Sequence, residues 1–150
     1  MRQILILGLI ALGFSFNSCT KTNEPTTKSE ILQSTTWMVQ SVQASGYLTG
    51  LIYERGRTPE GSPYDMSKIR VQFLPNGKAS AIDNTGNAQT TGTWTLLEND
   101  SKISISSSQN YLLDGTGNIL SLTTSEFTFS GARTYKSQLV EATVKMVPAL

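Results

Sequence analysis

The strongest constraint on the fold is a short run of alternating apolar and polar residues that ends at a tight turn. Apolar Ile69, Val71 and Phe73 alternate with polar residues across the segment 68–74. A period of two predicts a β-strand with one buried face. The Asn-Gly pair at 76–77 follows at once and, because it favours positive backbone angles, it predicts a type I′ hairpin.

Similar short segments, separated by turn residues, continue through the rest of the chain. A helical turn is expected only at residues 29–33. Strands joined by tight turns build an antiparallel meander, and about eight of them either close into a barrel or stack as two sheets. We therefore predict an all-β fold, a barrel, with a two-sheet β-sandwich as the alternative. The predicted strands are 36–43, 68–74, 78–83, 91–97, 102–107, 119–123, 127–130 and 138–147, with a short extra one at Tyr111 to Leu113.

The composition argues against several classes of function. Lys and Arg together number 12 and Asp and Glu 11, which gives a net charge of +1. No basic surface is therefore expected for binding nucleic acid. Histidine, the commonest general base and metal ligand, is absent from the sequence. We accordingly expect a protein that is not an enzyme and that uses no metal or other cofactor.

The N-terminus has the three-part layout of an export signal. A positive charge at Arg2 precedes an apolar run over residues 4–12, and small polar residues follow. This run of about nine residues is well short of the roughly 20 that a membrane-spanning helix needs. We expect residues 1–18 to be a signal peptide, residues 19–30 a flexible polar tether that begins at Cys19, and residues 31–150 one domain.

The residues around the cysteine, Phe-Asn-Ser-Cys at 16–19, resemble the lipobox of bacterial lipoproteins in the form seen in Bacteroidetes. The resemblance implies cleavage before Cys19 and acylation of its thiol with chains such as palmitate. Two or more acyl chains, at ~0.8 kcal/mol per buried methylene, hold a protein essentially permanently on a membrane. The implied location is the cell envelope, anchored to the outer membrane and facing the periplasm, with display on the cell surface left open.

Four motifs resemble, as an ordered set, those of bacterial lipocalin-like domains. They are Trp-Met-Val at 37–39, Phe-Leu-Pro-Asn-Gly-Lys at 73–78, Gly-Thr-Trp at 92–94 and the segment 122–129. These domains are small lipoprotein barrels that are common in Bacteroidetes. The resemblance covers most of the chain after the tether, and it implies a lipocalin-like barrel that holds a small apolar or amphipathic ligand.

The inward faces of the predicted strands supply the candidate lining of such a cup. Trp37 and Trp94 either line a ligand cavity or fill the core, with each indole N–H bonded to a backbone carbonyl. A barrel filled by its own side chains would instead serve as an interaction module for an envelope protein. The candidate lining residues are Trp37, Phe73, Trp94, Ile103, Ile105, Phe127, Phe129 and Val144.

The segment 44–65 lacks regular alternation and exceeds the usual length of a connection between strands. Its apolar first half and its two arginines predict a lid over the open barrel end, with the arginines contacting an anionic head group or carboxylate. The alternative is that residues 48–53 extend a strand or plug the core, which leaves the arginines in solvent. The candidate lid residues are Tyr47, Leu51, Tyr53, Arg55 and Arg57.

Overall fold

The computed structural model describes residues 24–83, 85–86, 88–106 and 113–149, and for 88–91 it describes the backbone alone. Cys19, the predicted signal peptide, the first part of the tether and residues 111–112 of the short extra strand lie outside the described residues. The elements are α1 Lys28–Gln33, β1 Thr36–Gly46, β2 Gly50–Glu54, β3 Arg70–Leu74, β4 Lys78–Ile82, β5 Ala88–Leu97, β6 Lys102–Ser106, β7 Gly115–Leu122, β8 Phe127–Tyr135 and β9 Gln138–Pro148.

The strands form a closed antiparallel barrel. Eight of them, β1 and β3 to β9, pair with their neighbours in sequence order, and β1 also pairs with β9. This closing ladder extends from Trp37↔Pro148 to Gly46↔Val140. Because the first and last barrel strands pair, the predicted barrel is confirmed and the β-sandwich alternative is wrong.

The hairpin at 76–77 has the predicted geometry. Asn76 has φ 62° and ψ 29°, and Gly77 has φ 70°. The N–H of Lys78 donates to the C=O of Pro75, which closes the turn. A Cβ at Gly77 would lie 2.9 Å from the Trp94 carbonyl oxygen, so the position admits only glycine without a shift. The sequence signal was strong because both of its residues tolerate positive φ.

The segment 44–65, predicted to be one long connection, contains the strand β2. β2 pairs with β1 through Val42↔Tyr53 and Gln43↔Leu51, and this one-residue shift leaves Ile52 as a bulge. Its pattern of exposure therefore does not alternate along the strand. The bulge explains why the sequence shows no period of two here. Tyr53 enters the main core, and the role of the segment as a lid stays a prediction.

The helix α1 begins inside the segment that was predicted to be a flexible tether. Thr27 caps it, because its side chain accepts from the N–H of Glu30 while the Glu30 carboxylate accepts from the N–H of Thr27 at 2.9 Å. This reciprocal capping box satisfies N–H groups that a helix leaves open at its first turn. Lys28 adds a bond from Nζ to the carbonyl of Asp100 at 2.8 Å, which ties the helix to the β5–β6 turn.

The cap predicts a measurable dependence of stability on pH. Hydrogen bonds from Thr27 and Thr26 lower the pKa of Glu30 from 4.5 to about 2. A lowered folded-state pKa stabilises the fold above pH 4.5, and this stabilisation is lost as the pH falls toward 2. We expect Glu30→Gln to unfold at lower urea than the wild type at neutral pH, with the two midpoints converging in acid.

Urea titrations at a series of pH values measure this difference directly. Glu24→Gln removes the same charge near the same helix but takes no part in the capping box, so it should track the wild type at every pH. A gap between Glu30→Gln and the wild type that stays constant from neutral to acid pH would show that the carboxylate is not the group being titrated.

Candidate functional site

The eight predicted lining residues lie together in the barrel interior. All belong to one core cluster, and Trp94, the most exposed of them, is 7% exposed. Phe127 is at the centre of the aromatic group, with ring centroids 5.8 Å from Trp37, 5.9 Å from Phe73 and 4.9 Å from Phe129. Edge-to-face and offset contacts of this kind fill space efficiently. The structure thus confirms that these residues share one interior, and their role toward a ligand stays a prediction.

Both tryptophans satisfy their polar atom inside the protein. The indole N–H of Trp37 donates to the carbonyl of Leu32 at 2.9 Å, which places α1 across this end of the barrel. The indole N–H of Trp94 donates to the carbonyl of Leu74, also at 2.9 Å. The geometry is that of core tryptophans, as the second of the two sequence interpretations required, and it leaves neither indole N–H available to a ligand.

The opposite end of the interior is different in character. The ladder places Arg133 across from Val140 and Val140 across from Gly46, far from α1. A second, smaller cluster of Ala44, Tyr135 and Val140 packs at this end. A charged side chain enters this region: Arg133 is only 3% exposed.

Three glycines make room for the Arg133 side chain. A Cβ on Gly115 or Gly117 would lie 3.2 Å from a guanidinium nitrogen of Arg133, and one on Gly131 would lie 2.9 Å from Nη1. The same Nη1 donates to the carbonyls of Thr116 and Ala132, each at 2.9 Å. The guanidinium carbon lies 5.8 Å from the centre of the Phe129 ring. Arg133 is therefore held over the aromatic core by the backbone of β7 and β8.

The electrostatic environment of Arg133 is a balance of burial and nearby acids. Burial lowers the pKa of Arg133, while the charges of Glu141 and Asp114 raise it. Since arginine stays protonated in proteins, the site carries a positive charge at every accessible pH. A fixed, oriented cation at one end of an apolar interior is the main chemical feature of the described barrel.

Sequence reasoning missed Arg133 because the predicted strand stopped at Ser130. The strand β8 continues to Tyr135 with strict alternation, since Phe127, Phe129, Gly131, Arg133 and Tyr135 are all buried. Because Gly131 and Arg133 are not apolar, the alternation of apolar and polar residues does not continue past Ser130 in the sequence. The usable signal was the spacing itself, with the glycine and the arginine at alternate positions after two inward phenylalanines.

The predicted lid residues lie in different environments. Tyr53 is 1% exposed and belongs to the main core, whereas Tyr47 is 58% and Leu51 52% exposed. Arg57 extends into solvent and pairs with Glu54 at 2.8 Å. Arg55 is part-buried and donates from Nε to the carbonyl of Val39 at 2.9 Å and from Nη1 to the carbonyl of Ser67 at 3.0 Å. The two arginines thus have separate roles, and only Arg57 is in solvent as the alternative expected.

Two open grooves lie on the outside of the barrel. One, of about 210 Å³, lies between α1 and the 76–77 turn and is lined in part by Trp94. The other, of about 250 Å³, is lined by polar and glycine residues of β6 to β9. Within the described ranges no three His, Cys, Asp or Glu residues gather as a metal site. No helix in this part of the chain is long and apolar enough to cross a membrane.

Comparison with known proteins adds no assignment. No family model matches the chain, and no curated protein is similar to it in sequence. The functional argument therefore depends on the barrel and its interior alone.

Proposed function

We propose that this protein is a lipid-anchored envelope lipoprotein whose barrel binds a small amphipathic molecule without converting it chemically. The observation that carries the ligand proposal is Arg133, which is 3% exposed and is the buried charged side chain among the residues that the structure describes. Burial disfavours its charge, while Asp114, Glu141 and two backbone carbonyls act in the opposite direction. An anionic or strongly polar group on a ligand would add to this compensation. The polar end of the ligand would face Arg133.

The apolar part of the ligand would lie among the side chains at the same end of the barrel. Ala44, Val140 and Tyr135 form the buried cluster there, and Leu48, Ile52 and Tyr64 pack against it from the segment between β1 and β3. An apolar wall with one fixed polar group is the usual composition of a small-molecule site. Tyr64 and Leu48 belong to the segment predicted as a lid, so that segment would border the site.

Native mass spectrometry of the protein purified from its own envelope extract tests this function. We expect the wild type to carry a small molecule and Arg133→Met to have lost it. Removing one member of a buried polar group can cost about 3–5 kcal/mol, so a urea titration must show that Arg133→Met is folded before loss of the molecule is counted. Lys136→Met removes an exposed cation beside Tyr135 and should keep the molecule.

A second candidate function is that of a filled interaction module that docks on an envelope protein. It is favoured by the aromatic packing, in which Trp37, Phe73, Phe127 and Phe129 are each no more than 1% exposed. Repeated purification of wild type with a protein partner and no small molecule would favour this module over ligand binding. Loss of that partner on substitution of exposed Leu139, but not of Arg133, would complete the distinction.

The anchor is proposed from the lipobox-like sequence at Cys19. Metabolic labelling with palmitate provides the test, because thioether-linked and amide-linked chains both require this cysteine. The wild type should incorporate label and Cys19→Ser should not. An unlabelled wild type would contradict the anchor and leave the barrel proposal intact.

A further inference from the structure

Arg55, just after β2, and Arg70, the first residue of β3, converge on one backbone oxygen. Nη1 of Arg55 donates to the carbonyl of Ser67 at 3.0 Å, and Nη1 of Arg70 donates to the same oxygen at 2.8 Å. The two guanidinium groups are therefore neighbours. Neither makes an ion pair with an Asp or Glu in the described ranges. Two adjacent positive charges without an anion repel each other.

The end of β2 and the connection that follows it concentrate buried hydrogen-bond donors that have no acceptor. Three side-chain atoms between residues 53 and 62 are buried without a partner in the described structure: Tyr53 Oη, Arg55 Nη2 and Ser62 Oγ. All three can donate a proton, and Tyr53 is 1% exposed. A buried donor without an acceptor costs about 1–3 kcal/mol, so a group that supplies acceptors would be stabilised here.

Tyr53 and the two arginines belong to one electrostatic unit. Burial raises the pKa of the Tyr53 hydroxyl, and the charges of Arg55 and Arg70 act on it in the opposite direction. The charge of Asp65 also acts on it, but the Asp65 carboxylate accepts from the backbone N–H groups of Gly61 at 2.9 Å and Ser67 at 2.8 Å. Asp65 thus holds the connection in shape, and its oxygens do not bridge the arginines.

We propose that Arg55, Arg70 and Tyr53 form a binding site for a phosphate-type oxyanion in the barrel wall between β2 and β3. A doubly charged oxyanion matches two guanidinium groups in charge and accepts hydrogen bonds from several directions. Arg55 Nη2 and Tyr53 Oη supply the buried donors. The connection after β2, which includes Gly56 and Gly61 with positive φ, would have to move to admit the anion to these buried donors. The site is separate from the Arg133 end and does not depend on a ligand there.

Titration of the full-length protein with inorganic phosphate, at constant ionic strength set by chloride and at mildly alkaline pH, tests the proposal. Calorimetry and the thermal midpoint should both report binding, and acetate should bind about tenfold more weakly because it carries one charge. Arg55→Gln and Arg70→Gln should each weaken phosphate binding about tenfold or more. Arg57→Gln, which removes an exposed arginine two residues from Arg55, should leave it unchanged.

Tyr53→Phe separates an anion site from a merely structural role. The Tyr53 hydroxyl has no hydrogen-bond partner among the described residues, so its removal should leave the free protein as stable as the wild type or more stable, yet reduce phosphate affinity several-fold. If Arg55→Gln does not fold, Tyr53→Phe still tests whether the site binds phosphate. Absence of phosphate binding by the wild type, binding that is equal in Arg57→Gln and Arg70→Gln, or acetate binding as tight as phosphate would each overturn the proposal. Loss of a small molecule from Arg133→Met has no bearing on these results.

Discussion

Replacing Phe127 by alanine should lower the free energy of unfolding by about 4 kcal/mol, the largest effect expected from a single substitution in this barrel. Phe127 is fully buried and is the one ring that contacts Trp37, Phe73 and Phe129. Its removal leaves a cavity between β1, β3 and β8 that the closed sheet cannot collapse to fill. A domain with a total stability of about 5–15 kcal/mol would lose a large fraction of it.

Urea unfolding followed by tryptophan fluorescence is the appropriate measurement, since Trp37 itself contacts the altered site. The midpoint should fall while the slope of the free energy with urea stays constant, which indicates that the denatured state is unchanged. Leu120→Ala removes an apolar side chain that is 59% exposed on β7, and its cost should be within about 0.5 kcal/mol. A Phe127→Ala cost as small as that of the control would contradict the packing described here.

Much of the fold could be predicted from the sequence because local signals were strong. The alternation through Val71 and Phe73 and the Asn-Gly turn define a hairpin with no reference to the rest of the chain. In β9 the alternation of Val140, Ala142 and Val144 also holds in the structure, where all three are buried. Such segments specify their own strand and face, so their assignment did not depend on tertiary context.

The closure of the barrel could not be predicted in the same way. The ladder between β1 and β9 joins residues at opposite ends of the domain, as in Trp37↔Pro148. Inward and outward residues alternate along each strand in a barrel and in a sandwich alike, because both bury one face of each strand. Only the pairing of the two terminal strands distinguishes them, and no local turn encodes that pairing.

The candidate sites were the least predictable part. Arg55 was singled out with Arg57, yet the structure groups it with Arg70, which is outward on β3 by sequence pattern and shares the Ser67 carbonyl. Arg133 was missed because a buried charge contradicts the apolar rule by which inward positions are recognised. Both errors have one physical cause: polar side chains that bond to backbone carbonyls are placed by tertiary geometry.

A methyl group at Gly131 should destabilise the protein by about 3 kcal/mol, at the upper end of the range for overpacking. The Cβ of alanine would lie 2.5 Å from the carbonyl oxygen of Thr116, 3.0 Å from Cα of Gly117 and 2.9 Å from Nη1 of Arg133. The first two are backbone atoms of the paired strand β7, so they cannot move aside as a side chain would. The ladder between β7 and β8 must separate locally, and the bond from Arg133 to Thr116 is then lost.

Gly56→Ala is the matched control, because its Cβ has no atom within 4 Å while its φ of +80° is left-handed. It should cost only the backbone strain of about 1–2 kcal/mol. The double variant Gly131→Ala with Arg133→Met then measures how much of the destabilisation comes from the Arg133 side chain and how much from the backbone of β7. If Nη1 contributes, the double variant should be more stable than the sum of the single effects, since residues in contact are not additive. Strict additivity in urea titrations would show that the backbone of β7 alone excludes a side chain at position 131.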